Sequence, residues 1–435
     1  MTASAPSNPA ARAESQATFF RQSGWLMLAT VTGGILMWAV HLLSKFIPAA
    51  EYGVLVTLFS VVNLAPTMPL QMVFTQQTAL AEATRREAQL SGLIRGTFLG
   101  IFLLWVLGAA VVMCFRQSIA AQWHLANPAA LPMLLVVILL SLAWPVLAGV
   151  MQGRQNFLWL GWCSILNGGG RVVSAAVIVW VWQGWSTGIM VGVAMGLLLY
   201  CGIGVWQTRA QWRAAAGSFD RGIFFGQMVP LMLGFAATQF LFSADTPFVN
   251  AYFGAERTAP YGAAGTLSRA LLWLVLPLAN VMFPKIVHSH TRAEKSNLLG
   301  LTVVITGALA GIGFAGLCLL GPWLVPHIFR PAYSQEALAV LPWYAGAMIP
   351  LVLANVLIND LLARSRFTIV PALVILAAGY GFTLTQFHES PTMVLQIMGG
   401  FNLAMLAACA GFAWQEKNSA AKTRGHQDGR PGINS

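Results

Sequence analysis

Charge is scarce in this chain, and acidic charge scarcest: 13 of 435 residues are Asp or Glu, and charged residues of both signs make up 9%. A soluble domain carries about 25%. So thin a coat of charge excludes a water-soluble globule of this length. The five cysteines, Cys114, Cys163, Cys201, Cys318 and Cys409, lie in or beside apolar runs without C-x-x-C spacing. They read as small apolar fillers, which excludes a disulfide framework and a thiolate metal site. His288-x-His290 sits in a basic loop, and no metal site is expected there. No G-x-x-x-x-G-K-[ST] loop is present to cradle a nucleotide, so neither ATP nor another cofactor is expected. No polar stretch is long enough to fold as a soluble domain.

What the chain has is hydrophobicity: 57% of its residues are apolar. A helix needs about 20 such residues to cross a bilayer. The apolar runs predict an all-α polytopic membrane protein with twelve spans: Trp25–Ile47, Val54–Phe74, Leu93–Phe115, Leu131–Met151, Phe157–Trp182, Gly188–Trp206, Phe224–Phe253, Tyr261–Phe283, Leu298–Leu320, Ala337–Leu362, Phe367–Thr385 and Met393–Trp414. The first run is too long for a signal-peptide core. With the N-terminus inside, Lys45, Arg116, Arg257 and Arg330 fall outside, Arg171 and Arg269 fall within spans, and the other Lys and Arg residues are cytoplasmic. Such a bias sets N-in, C-in orientation, and it accounts for the net charge of +11 without a nucleic-acid partner.

Two short motifs recur at nearly one offset. Tyr52-Gly53 is echoed by Tyr261-Gly262, and Arg154-x-x-Phe157 by Arg364-x-x-Phe367. The repeat predicts two six-helix halves in parallel topology. Residues 1–23 then form a cytoplasmic tail, 24–207 the first half, 208–223 a cytoplasmic connector, 224–414 the second half and 415–435 a second cytoplasmic tail. Both tails are polar and read as disordered.

Several stretches resemble a known family: Phe46-Ile-Pro-Ala-Ala-Glu-Tyr-Gly53, Met151-Gln-Gly-Arg-Gln-Asn-Phe157, Asp245-Thr-Pro-Phe-Val-Asn-Ala-Tyr-Phe-Gly254, Tyr261-Gly-Ala-Ala and Phe283-Pro-Lys285. The chain resembles the polysaccharide flippases, Wzx-type O-antigen flippases among them, of the multidrug/oligosaccharidyl-lipid/polysaccharide superfamily. The resemblance implies a transporter, not an enzyme, of the inner membrane. It implies that two halves enclose a cavity and pass a lipid-linked sugar across by alternating access, with the acyl chains left in membrane lipid. It also implies a polysaccharide polymerase and glycosyltransferases as partners. Drug or cation antiporters of the same superfamily share the twelve-span plan and stand as the alternative. A membrane enzyme of the same pathway would need a sizeable external domain, whereas the longest outside loop, Arg116–Ala130, contains no acid.

Charges inside spans cost about 2.5 to 3.5 kcal/mol each at the bilayer centre, so they usually face a cavity or a partner. Arg171 follows Asn167-Gly168-Gly169-Gly170 in the fifth span. Either these residues break the helix near a lumen where Arg171 meets an anionic headgroup, or the glycines make a tight helix crossing. Arg269 is a second candidate headgroup ligand. Its depth in the eighth span matches that of Asp245 in the seventh, so the two form either a static ion pair or a site where Asp245 binds a coupling ion. Asp360, four residues before Arg364, reads as a structural pair or a cytoplasmic gate. His41 reads as a packed, satisfied histidine.

Overall fold

The computed structural model describes residues 9–218, 221–272, 298–363 and 366–428. The described residues contain no β-strand, and eleven of their helices are long and apolar enough to cross a membrane. These correspond in order to the predicted spans except the eighth, of which residues 261–272 are helical and the remainder lies outside the described residues. The chain divides into two compact units, Met1–Met228 and Val229–Ser435.

The first unit holds α1 (Pro9–Ala39), a 3-10 segment (Val40–Lys45), α2 (Ala49–Asn63), α3 (Thr67–Thr84), α4 (Glu87–Cys114), α5 (Arg116–Gln122), α6 (Ala130–Gly153), α7 (Phe157–Trp182), α8 (Trp185–Gln207) and α9 (Arg209–Arg213). The predicted second span is two helices. Pro66, which has no N–H to donate, lies between α2 and α3, and α3 continues past the predicted end at Phe74. Within the unit α7 packs between α1 and α8, and α6 packs on α3 and α8.

The predicted helix break at Asn167–Gly170 is absent: α7 is continuous from Phe157 to Trp182. The glycines serve close packing instead. A methyl group on Gly168 would lie 2.6 Å from the Gly33 carbonyl oxygen of α1, and one on Gly170 would lie 2.6 Å from a Leu199 methyl of α8. On α8 a stripe at four-residue spacing, Gly188, Gly192 and Gly196, faces α7 at Ile178, Ala175 and Asn167. A methyl on Gly192 would sit 2.6 Å from the backbone nitrogen of Ala175 in α7. Small residues in such a stripe let membrane helices approach to backbone contact, and intact helical hydrogen bonds keep the polar backbone satisfied in lipid. Gly168→Val is therefore expected to lower the thermal midpoint of the purified protein, since overpacking costs about 1 to 3 kcal/mol. Gly169→Ala, whose added methyl meets nothing within 4 Å, serves as the contrast and is expected to leave the midpoint unchanged or raise it.

Both tails also differ from expectation. Helix α1 already runs from Pro9, and the last helix continues to Asp428. Each extension carries strong helix formers, Ala10, Ala11 and Ala13 at one end and Ala420, Ala421 and Lys422 at the other, which continue a helix already nucleated by a span. The start of the connector is fixed to α4. Gly217 N–H donates to Ala88 O at 2.7 Å, Ser91 Oγ donates to Ala214 O at 3.1 Å, and Arg95 Nη2 donates to Ala214 O at 2.9 Å.

The helices of the second unit are α10 (Arg221–Ser243, which starts in the last residues of the first unit), α11 (Asp245–Phe253), α12 (residues 255–272), α13 (Leu298–Ile328), α14 (Ser334–Ala363), α15 (Val370–Gln386) and α16 (Pro391–Asp428). Here α14 packs on α13 and α16. The predicted seventh span, Phe224–Phe253, is interrupted at Ala244. Pro247 is the cause. It lacks the N–H that a continuous helix would give to Ser243 O, and its ring would clash with that carbonyl. The interruption leaves Asp245 as the first residue of α11.

Candidate functional site

Asp245 has no exposed surface, which a carboxylate tolerates only when it is paired and hydrogen-bonded. The local chain supplies those partners. Gly254, at a φ of 85° that L side chains rarely adopt, ends α11, and α12 follows. Tyr261, Gly265 and Arg269 stand four residues apart on α12 and so share one face. Arg269 Nη2 donates to Asp245 Oδ1 at 2.7 Å, and the Tyr261 hydroxyl donates to Oδ2 at 2.8 Å. The Tyr344 hydroxyl, from α14, donates to the same Oδ2. Gly265 makes room for it: a methyl there would lie 2.9 Å from the Tyr344 ring. Gly265→Ala is expected to push the Tyr344 phenol off Asp245 and to lower the thermal midpoint, because a buried acceptor that loses its donor costs about 1 to 3 kcal/mol. Gly265→Ala/Tyr344→Phe should then melt little lower than Tyr344→Phe alone.

Arg269 is as fully held as its partner. Its Nη2 also donates to Thr246 Oγ1 at 3.0 Å, and its Nε donates to Phe242 O at 3.2 Å. The guanidinium lies 5.5 Å from the ring centres of both Phe242 and Tyr344. The Phe242 carbonyl belongs to the last turn of α10, where the interruption at Ala244 leaves the helix end open. The expected pairing of Asp245 with Arg269 is thus present, inside a network of tyrosines, a threonine and a backbone carbonyl.

Arg171 stands in the opposite condition. It is half-buried in α7, and its buried Nε has no hydrogen-bond partner. One turn earlier Asn167 donates from Nδ2 to Met37 Sδ at 3.4 Å, while its buried Oδ1 is unpartnered. Residues 24–207 contain three acids, Glu51, Glu82 and Glu87, all at helix ends. Glu51 accepts from the N–H of Ser186 at 3.2 Å and so caps α8. Glu82 pairs with Arg154 at 2.8 Å. Glu87 occupies the first turn of α4. Among the described residues Arg171 has no ion pair.

The remaining candidates fall elsewhere. Asp360 is buried near the end of α14, and Arg364, its expected partner, lies outside the described residues. His41 Nδ1 lies 3.1 Å from the Tyr52 hydroxyl, and its ring packs against Trp38 and Phe59, the satisfied arrangement expected. Among the described residues no group of His, Cys, Asp and Glu could hold a metal ion. The sequence assigns no site role to Thr246, Tyr344 or Gly265, and Tyr261 enters it through the repeat and the family-like Tyr261-Gly-Ala-Ala stretch alone. The spacing Tyr261-x3-Gly265-x3-Arg269 carried the signal, since it places an acid's donors along one helix face.

No protein-family model matches the sequence, and no curated protein does. Solved structures do. An inward-facing multidrug resistance MATE family transporter of the MOP superfamily aligns with a TM-score of 0.70 at 12% identity, over 91% of this chain and 96% of that one. The lipid II flippase MurJ, in an inward closed conformation, aligns with a TM-score of 0.65 at 14% identity, over 91% and 87%. A MATE protein in its straight conformation gives 0.62 at 11% identity, over 93% and 96%. At such identities the likeness is one of fold. The chain is a multi-pass membrane protein with the fold of MOP-superfamily transporters.

Proposed function

We propose that the protein is a flippase that carries the anionic headgroup of a lipid-linked oligosaccharide across the cytoplasmic membrane by alternating access. The observation that carries this reading is the guanidinium of Arg171, which has no ion pair among the described residues and whose buried Nε has no hydrogen-bond partner. A cation at that depth in a span calls for an anion, and the acids of residues 24–207 are committed to or confined at helix ends. The guanidinium fork suits the oxygens of a pyrophosphate, the linker a lipid-borne sugar would present. Arg269, by contrast, is spent on Asp245, so headgroup binding falls to Arg171.

The drug or cation antiporter reading has the same fold behind it but a weaker site. A carboxylate that receives a cationic cargo needs open acceptors, and both oxygens of Asp245 are engaged. The deciding experiment expresses the chain in cells that lack their own sugar-lipid flippase. Restored delivery of glycan to the outer face, with no gain in drug resistance, is the expected result. Drug resistance without glycan delivery would sink the reading.

The proposal also places both termini in the cytoplasm, from the distribution of Lys and Arg. Reporter fusions after Trp185 should report outside and fusions after His290 inside; either reversed would overturn this topology.

A further inference from the structure

The Asp245 cluster is built around a charge that the chain itself supplies. Oδ1 accepts from Arg269, and Oδ2 accepts from both Tyr261 and Tyr344. Both members are sequestered, at 0% side-chain exposure for Asp245 and 11% for Arg269. Three of the carboxylate's roughly four lone-pair positions are filled. Arg269 is gripped at the same time by Thr246 Oγ1, by Phe242 O and by two aromatic faces.

We propose that Arg269 is the resident counter-cation of this site, standing where an exchangeable sodium ion or proton would otherwise neutralise Asp245, so that transport proceeds without ion exchange at this carboxylate. Two arguments from charge support it. A proton on Asp245 would strand the guanidinium beside a neutral acid, away from water. A sodium ion would add a second positive charge beside the first. Each invader must displace Arg269 before it can be held, and Arg269 is tethered on a helix and restrained from four directions. Among the described residues, the other titratable groups around the carboxylate are Tyr261, Tyr344 and the wholly buried Tyr380, which lies within electrostatic range of Asp245 and Arg269. None of these described groups is a histidine or a second acid.

The transport consequence rests on the flippase reading, but occupancy of the carboxylate does not, and equilibrium melting tests occupancy alone. Purified wild-type protein is heated in detergent at fixed ionic strength, with choline exchanged for sodium, and from mildly acidic to mildly alkaline pH. The expected result is no saturable shift with sodium and no midpoint that follows a carboxylate titration. Arg269→Ala opens the seat. Methylguanidinium should then raise the midpoint by about 3 °C at saturation. The same probe should leave wild type and Asp245→Asn/Arg269→Ala unmoved.

A saturable rise with sodium in wild type that disappears in Asp245→Asn overturns the proposal. A proton-dependent midpoint lost in the same variant does so too, as does a methylguanidinium response no larger in Arg269→Ala than in wild type. If Arg269→Ala does not fold, the wild-type arm decides alone. A failed glycan-delivery assay beside an ion-insensitive wild type would refute the flippase reading and leave this inference standing.

Discussion

Arg171→Ala is expected to abolish delivery of the lipid-linked sugar while the protein accumulates in the membrane at wild-type level or above. The two halves of that expectation come from one observation. The buried Nε of Arg171 has no hydrogen-bond partner, and the side chain has no ion pair among the described residues, so its removal deletes no described native contact of the charged group. A partnerless charge in a span is a cost, and alanine relieves it. The substrate meets the opposite balance. Hydrogen bonds to charged groups are worth about 1.5 to 3 kcal/mol each, so loss of a bidentate pair costs on the order of 100-fold or more in headgroup affinity. Arg171→Lys keeps the charge and loses the fork, and it should retain partial activity. The measurement is glycan delivery in cells without their own flippase, normalised to protein abundance. Normal delivery by Arg171→Ala at equal abundance would remove the main support for an anionic cargo. A collapse in abundance would show that Arg171 holds the fold through contacts other than those described.

The second large effect belongs to Asp245 and acts on stability first. Asp245→Ala leaves the Arg269 guanidinium without its carboxylate and removes the acceptor of two tyrosine hydroxyls. Breaking a buried pair from one side typically costs about 3 to 5 kcal/mol, because the surviving charge is stranded. The folded fraction of Asp245→Ala, read by thermal melting of whatever inserts, should fall steeply. Arg269→Ala should do the same. The double variant should lose much less than the two losses combined, since neither charge then remains to be stranded. Additive losses would mean that the two residues do not sense each other, despite the 2.7 Å separation.

The sequence made the spans legible because lipid imposes a length and an apolarity that few other environments demand. It made the Asp245–Arg269 pairing legible for a related reason. Two opposite charges at one depth on consecutive helices have few alternatives to each other. The interruption at Ala244 was harder to see, although Pro247 lay in view, because one proline often kinks a membrane helix without ending it. The glycines before Arg171 pointed both ways. Three helix-weakening residues in a row are compatible with a break or with close packing, and the deciding feature sat on another helix, in the spacing of Gly188, Gly192 and Gly196. Tyr344 was out of reach of local reasoning. It comes to Asp245 from a helix far along the chain, and no short-range pattern announces it.

The glycine-lined contact between α7 and α8 has a consequence for how the protein is made. Helix α7 carries Asn167, four glycines and Arg171, a poor candidate to leave the translocation channel for lipid by itself. Helix α8 follows after Gln183 and Gly184, has no charged residue in Trp185–Gln207, and presents the groove into which α7 fits. The two are suited to enter as one hairpin, with the second helix drawing in the first. A nascent chain halted after Trp182 should then hold α7 at the channel, and release into the bilayer should wait until α8 has been synthesised. A bulky residue at Gly192 would delay that release as well as loosen the finished fold. The same close approach that shapes the mature first unit would thus set a checkpoint in its assembly.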